Sequence, residues 1–341
     1  MAGWLSQFGF SSHSLENARE KPSKERSSLL EKVFFYRDFL RFTGGHLKVW
    51  HYFNHVQNSI HYKPYITFSA ATIWDETNPW QGMRNQTEEC WRPEKADILF
   101  LAGMDWAVLN TQQRDAQIKP IINLIQHVRH ANLQEPLYQF LKHRAIRICV
   151  SQSVTEALLS TKKVNGPVFT ITNGVDLSEL NQSKIWENRE LDLLIVGIKQ
   201  PALAMEIHRY LKHSSWRIKN LTHALPRPAF LELLGNAKIA LLLPHSTEGF
   251  YLPAIEGFAL ETLVICPDCV GNRSFCISER NCLQPAYQVT ALLESVQHAF
   301  NLHIPVRQAL LKSAWQTAQQ HSLLEERRLF LELLDQIESI W

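Results

Sequence analysis

Residues 238–256 read KIALLLPHSTEGFYLPAIE, an apolar run of strand length that stops at Pro244, passes through a polar loop and resumes as a helix. A short apolar run bounded by turn residues suits a strand buried on both faces. Pro253 suits the first turn of the following helix, where a missing N–H costs nothing. Strand, loop and helix form half of an α/β unit. In sheets built from such units, ligands sit beyond the carboxyl ends of the strands. Glu248 lies in that loop and Glu256 about one turn into the helix.

Each residue type here has a chemical use. Gly249 lets the backbone bend close to a ligand. Amides around Tyr251, Leu252 and Ala254 can receive a phosphate, helped by the helix dipole. Glu256 can accept two hydroxyl hydrogen bonds, as a ribose diol offers, and Glu248 can sit beside a sugar. From these residues alone two readings stand: acids that face a ligand, or a solvated Glu248 and a Glu256 that only favours the helix start.

The same rhythm runs outward along the chain. EKVFFYRDFL holds a strand, RFTGGH a glycine turn and LKVWHYFNHVQNS an amphipathic helix. Strands follow in YKPYITFSA, DILFLAG, KPIINLIQHV (ending at Gln126 and His127), AIRICVSQ and GPVFTITNGVD. PLYQFLKHR and SVTEALLSTK read as helices, the second with Ser153 as N-cap and Glu156 three residues on. After Asp176 comes a polar, irregular linker. The alternation then restarts with LDLLIVG, PALAMEIHRYLKH, WRIKNLT, RPAFLELLGNA, the opening segment, and TLVICPD. Strands alternating with helices predict parallel sheets covered on both faces, and two such runs predict two doubly wound domains facing each other. The expected division is a flexible segment 1–28, an amino-terminal domain 29–180, a carboxy-terminal domain 190–304, and helices 305–341 packing back towards the first domain.

Bulk properties narrow the function. A chain of 341 residues suits two domains, and 45% hydrophobic with 20% charged residues is ordinary for a globular protein. A formal charge of +2 carries no nucleic-acid signal. Cys266, Cys269, Cys276 and Cys282 crowd together, but their spacing fits a zinc site poorly and reads as reduced cytosolic thiols. No apolar run reaches spanning length. Trp4, Leu5, Phe8 and Phe10 offer a peripheral membrane contact within residues 1–10, or belong to a loose terminus. Trp74, Trp80 and Trp91 stand as core or as a surface for stacking on sugar rings.

PHSTEGFYLPAIEGFALETLVICPD resembles the nucleotide-sugar segment of retaining group-1 glycosyltransferases of the GT-B fold, whose pattern is E-G-F-x-L-P-x-x-E. Glu248, Gly249, Phe250, Leu252, Pro253 and Glu256 match it at the correct spacing. Other pieces are similar and in order: TGGH to the amino-terminal glycine loop (Gly44, Gly45), INLIQHVRH to the strand presenting a histidine (His127), ICVSQSVTEALL to a strand-serine-helix element, TNGVD to the closing turn of the first domain, RNCLQP to a later turn, and HSLLEERRLFLELLDQI to the last helix. Together they cover most of residues 30–341.

The resemblance implies a cytoplasmic hexosyltransferase of glycan biosynthesis. It would move a sugar from a nucleotide-diphosphate donor to a glycan or lipid-linked acceptor, with retention and without a metal or other cofactor. It implies catalytic roles for Glu248 and His127, and contacts to the nucleotide-sugar from Gly44, Gly45, Gly249, Phe250, Tyr251, Leu252 and Glu256. The sequence departs from the family where an arginine and a lysine clamp the diphosphate: Gly197 is followed by Ile198, and Leu203 stands at the lysine position. Lys199 and Arg273 are the candidate replacements, since a diphosphate in a cleft needs cationic or amide partners. The missing pair leaves open a non-catalytic GT-B binding partner, and a sugar-nucleotide epimerase is a further alternative.

Overall fold

A computed structural model describes residues 30–115, 119–180 and 184–341. The proposed membrane contact at 1–10 and the segment 11–28 lie outside the described residues.

The first sheet has six parallel strands: β1 (Glu31–Arg37), β2 (Tyr62–Phe68), β3 (Ile98–Ala102), β4 (Ile121–Ile125), β5 (Ile146–Cys149) and β6 (Val168–Thr170), in the order β2-β1-β3-β4-β5-β6. The second has four: β7 (Leu191–Val196), β8 (Ile218–Leu221), β9 (Ala237–Leu242) and β10 (Leu263–Ile265), in the order β10-β9-β7-β8, also parallel. β3 and β4 are buried at every position, which is why they read as unbroken apolar runs rather than alternating ones. Each sheet changes direction once, between β1 and β3 and between β7 and β9, and these are the places where an open α/β sheet holds a ligand.

Helices α1 (Gly44–Gln57) and α2 (Gln152–Ser160) belong to the first sheet. α3 (Pro201–Leu211), α4 (Arg227–Gly235), α5 (Leu252–Ala259) and α6 (Val289–Asn301) belong to the second. α1 begins three residues earlier than its apolar spacing predicts, because Thr43 caps it by accepting from His46 N–H. α2 is capped by Ser151 rather than Ser153: Ser151 is extended and its hydroxyl accepts from Val154 N–H. The predicted helix over PLYQFLKHR is a 3-10 segment, Pro136–Lys142. Trp80 is fully buried, meeting Trp50, Phe53 and Phe68; Trp91 packs edge-on to Tyr36, and Trp74 to Phe68. Core packing therefore accounts for all three tryptophans. Cys266, Cys269, Cys276 and Cys282 are buried free thiols, and among the described residues no group of three or more His, Cys, Asp or Glu is placed to hold a metal ion. No described helix is long and apolar enough to cross a membrane.

The last two long helices divide between the halves. α7 (Ile304–Gln320) packs on α5, and α8 (Leu323–Asp335) returns to α1. The chain crosses where Val175 bridges Ser322. A buried ionic cluster bolts this crossing. Glu326 binds Lys48, accepts from Gly174 N–H (2.5 Å) and meets His55 Nε2 (2.9 Å), while Lys48 also donates to Gly174 O (3.1 Å). Tyr52 and Phe330 close the apolar side of the joint edge to face.

Candidate functional site

A cavity of about 230 Å³ lies at the direction change of the second sheet and is walled on its far side by the first half. Gly44 and Leu47 come from the start of α1; Ile198 and Lys199 from the loop after β7; Arg227 from the start of α4; and Glu248, Leu252 and Glu256 from the β9–α5 connection.

Both acids of the opening segment face this cavity, and each is held by a cation. Glu256 is 2% exposed, and Arg227 Nη1 donates to its Oε1 at 2.5 Å. Burial pulls the Arg227 pKa down, but Glu256 and then Glu179 outweigh it and raise the value, so this guanidinium stays charged. Glu248 pairs with Lys199 at 3.3 Å, with the lysine side chain 55% exposed. Phe250 and Leu252 supply apolar wall, Phe250 backed by Phe275 and His321.

Several expected roles change. Gly249 does not line the cavity but packs against protein: a Cβ there would lie 2.1 Å from Gln126 O, and Ser151 Oγ donates to Gly249 O at 2.8 Å. The glycine is thus the close-approach point between the two halves, where no side chain fits. The amides of Tyr251 and Ala254 are engaged, donating to Gly271 O and to Tyr251 O. That leaves Leu252 N–H at the start of α5 with no backbone acceptor among the described residues. The Tyr251 phenol is buried and its pKa is raised well above the ordinary value, by burial first and then by nearby Cys266. Arg273 does not line the cavity; it is locked to Asp268 on the surface at 2.7 Å. Asp268 stands five positions before it in the sequence, so this pair is a local one.

His127 follows β4 and caps the next turn, its Nδ1 accepting from Arg129 N–H at 3.1 Å. That bond puts the ring proton on Nε2. Burial, then Arg129, His245 and Lys199, lower its pKa to about 4, so the ring is neutral near pH 7. Gly45 lies one residue from Gly44 but lines a different, neighbouring cavity, where Gln126 Nε2 donates to its carbonyl at 3.2 Å. Arg227 was missed by sequence reading. Its only signal was a basic residue at a helix start, where a cation is disfavoured unless an acid faces it.

No family model matches the sequence, and no curated protein matches it. The structure matches solved ones. Sucrose-phosphate synthase from Thermosynechococcus elongatus superposes with a TM-score of 0.66 at 11% identity, over 91% of this chain and 99% of that one. HepE from Anabaena, in complex with UDP-glucose, gives 0.66 at 11% identity, over 89% and 99%. A glycosyltransferase from Rickettsia africae gives 0.61 at 14% identity, over 90% and 98%. The likeness extends over both halves and gives the chain the GT-B fold.

Proposed function

We propose that this chain is a glycosyltransferase that moves a sugar from a nucleotide-diphosphate donor to an acceptor hydroxyl, with retention at the anomeric carbon. The observation that carries the reading is the convergence of Glu248, Glu256, Lys199 and the start of α5 on one cavity at the direction change of the second sheet. The likeness to a sucrose-phosphate synthase and to a UDP-glucose complex supports it.

Each group has a task in that reaction. Glu256, oriented by Arg227, accepts from the ribose hydroxyls. The diphosphate lies over the start of α5, where Leu252 N–H and the helix dipole meet its charge. Lys199 leaves Glu248 and pairs with the diphosphate as the glycosidic bond breaks, stabilising the leaving group. This exchange also frees Glu248 to face the positive charge that develops at the sugar ring. His127 is not among the residues lining the cavity but lies within electrostatic reach of Lys199; neutral and carrying its proton on Nε2, it donates to a sugar oxygen. The reading gives the diphosphate charge to these groups and assigns no metal ion. Closure of the two halves excludes water, which would otherwise hydrolyse the activated sugar.

A panel of UDP- and GDP-sugars read by thermal shift tests the reading. A sugar nucleotide at a hundred times its Kd should stabilise the protein by about 2.7 kcal/mol. Glu256→Gln should remove that gain, and Glu248→Gln should keep binding while losing transfer. The reading fails if no sugar nucleotide raises the melting temperature, or if Glu256→Gln leaves the gain intact. One observation favours a second reading, a non-catalytic binding partner: Lys199 and Arg227 are already paired with acids. Binding without release of nucleoside diphosphate, with any acceptor, would select it.

A further inference from the structure

A second cavity, of about 480 Å³, opens at the carboxyl ends of β1 and β3, the direction change of the first sheet. It adjoins the first cavity: Gly44 lines one and Gly45 the other. Among the described residues its charged groups are Arg37, Asp38 and Asp105, and no lysine lines it. Arg37 is 8% exposed. Its Nη1 donates to Asp105 Oδ2 at 2.6 Å and its Nη2 to His46 Nδ1 at 2.9 Å, while its buried Nε has no hydrogen-bond partner among the described residues. Burial, partly offset by Arg37, raises the Asp105 pKa to about 6, so at pH 7 Asp105 is charged and meets the Arg37 charge. Asp38 is exposed, and its neighbour is a hydroxyl, Ser69 Oγ at 2.5 Å. His46 accepts at Nδ1, so it carries its proton on Nε2; burial, then Arg37, lower its pKa to about 4, and it adds no charge near neutral pH.

The sum is one uncompensated negative charge among neutral hydrogen-bonding groups. A phosphate entering here would meet Asp38 with no free cation among the described residues to offset it, and a like charge brought this close is disfavoured. A hydroxyl can donate to Asp38 and accept from a neutral ring N–H. Resting on the glycosyltransferase reading, we propose that this cavity takes the acceptor, and that the acceptor presents an uncharged sugar ring or polyol here rather than a phosphorylated one. The glycine pair then lets the acceptor hydroxyl reach the sugar held beside Glu248, since neither Gly44 nor Gly45 puts a side chain between the two cavities.

Calorimetric titration of the full chain with methyl glycosides and with the matching sugar 6-phosphates tests this, in the presence and absence of UDP. The neutral sugars should bind at least about tenfold more tightly than their phosphates. Asp38→Asn should weaken neutral-sugar binding about tenfold, in line with a lost hydrogen bond to a charged group, and should narrow the preference over phosphate. Ser69→Ala, which leaves the charge in place, should keep the preference. Equal or tighter binding of the phosphates overturns the proposal. So does an unchanged affinity and preference in Asp38→Asn, or the absence of saturable binding by any glycoside up to tens of millimolar. Binding of the same panel of UDP- and GDP-sugars, measured in parallel, separates the two readings: glycoside binding that survives when no member of the panel binds would sink the nucleotide-sugar reading and keep this cavity as a neutral-sugar site.

Discussion

Replacing Arg227 with methionine isolates the contact on which the nucleotide end of the cleft depends. Glu256 is 2% exposed, and the guanidinium 2.5 Å away is its partner. Removing that partner leaves a buried carboxylate uncompensated, which costs about 3–5 kcal/mol. Arg227 is itself 17% exposed in its side chain, so some solvent can reach the vacated space and the lower end of that range is expected. Its second acid, Glu179, is exposed at 3.4 Å and adds little. At about 2.1 cal/mol/K per residue, a chain of 341 residues shifts by roughly 1.4 °C per kcal/mol, so the melting temperature of Arg227→Met should fall by about 4 °C. The double variant Arg227→Met with Glu256→Leu replaces the pair by apolar groups and should recover most of the loss while binding no sugar nucleotide. Denaturant unfolding of the wild type, both single variants and the double variant closes the cycle. A loss under about 1 kcal/mol in Arg227→Met, or a double variant no more stable than that single one, would refute the reasoning.

Glu326→Ala strands Lys48, which is 1% exposed, and should cost about 3–5 kcal/mol; Lys48→Met with Glu326→Leu should restore much of it in the same unfolding assay. Gly249→Ala drives a Cβ against Gln126 O, so thermal unfolding should show a loss of about 1–3 kcal/mol, whereas Gly82→Ala, with nothing within 4 Å, should show none of that steric cost. Arg273→Ala should leave the affinity for sugar nucleotides unchanged in a binding titration, because that side chain is engaged by Asp268 away from the cavity. Burial lowers the pKa of His130 to about 3 and that of His321 to about 4. The unfolded chain therefore binds these protons first, and stability should fall as pH drops below about 6.5, by about 1.4 kcal/mol per unit for each histidine until its folded pKa is reached. Unfolding midpoints measured between pH 7 and 4 check this, and an absence of acid loss in that window would contradict it.

Periodicity by itself determined the alternation of strands and helices, the two-sheet plan and the placing of Glu248 and Glu256 beyond β9. Those features depend on local burial and on turn chemistry, which neighbouring residues encode. The same local signal ran short where a cap decided the outcome: Ser153 was the expected N-cap of α2, and the extended backbone at Ser151 puts the cap there instead. Only the tertiary structure decided what each cleft residue touches. Arg227 lies twenty-nine positions from Glu256, and their pairing follows from α4 and α5 starting side by side at the same sheet edge. Gly249, expected beside a ligand, is the point where the backbone of Gln126 on the other half comes closest. Arg273 pairs at the surface with Asp268, five positions away, whereas Lys199 meets Glu248 in the cavity only because the loops after β7 and β9 come together. Charge pairing across long sequence separations depends on distance and burial, and those exist only once the two halves have met.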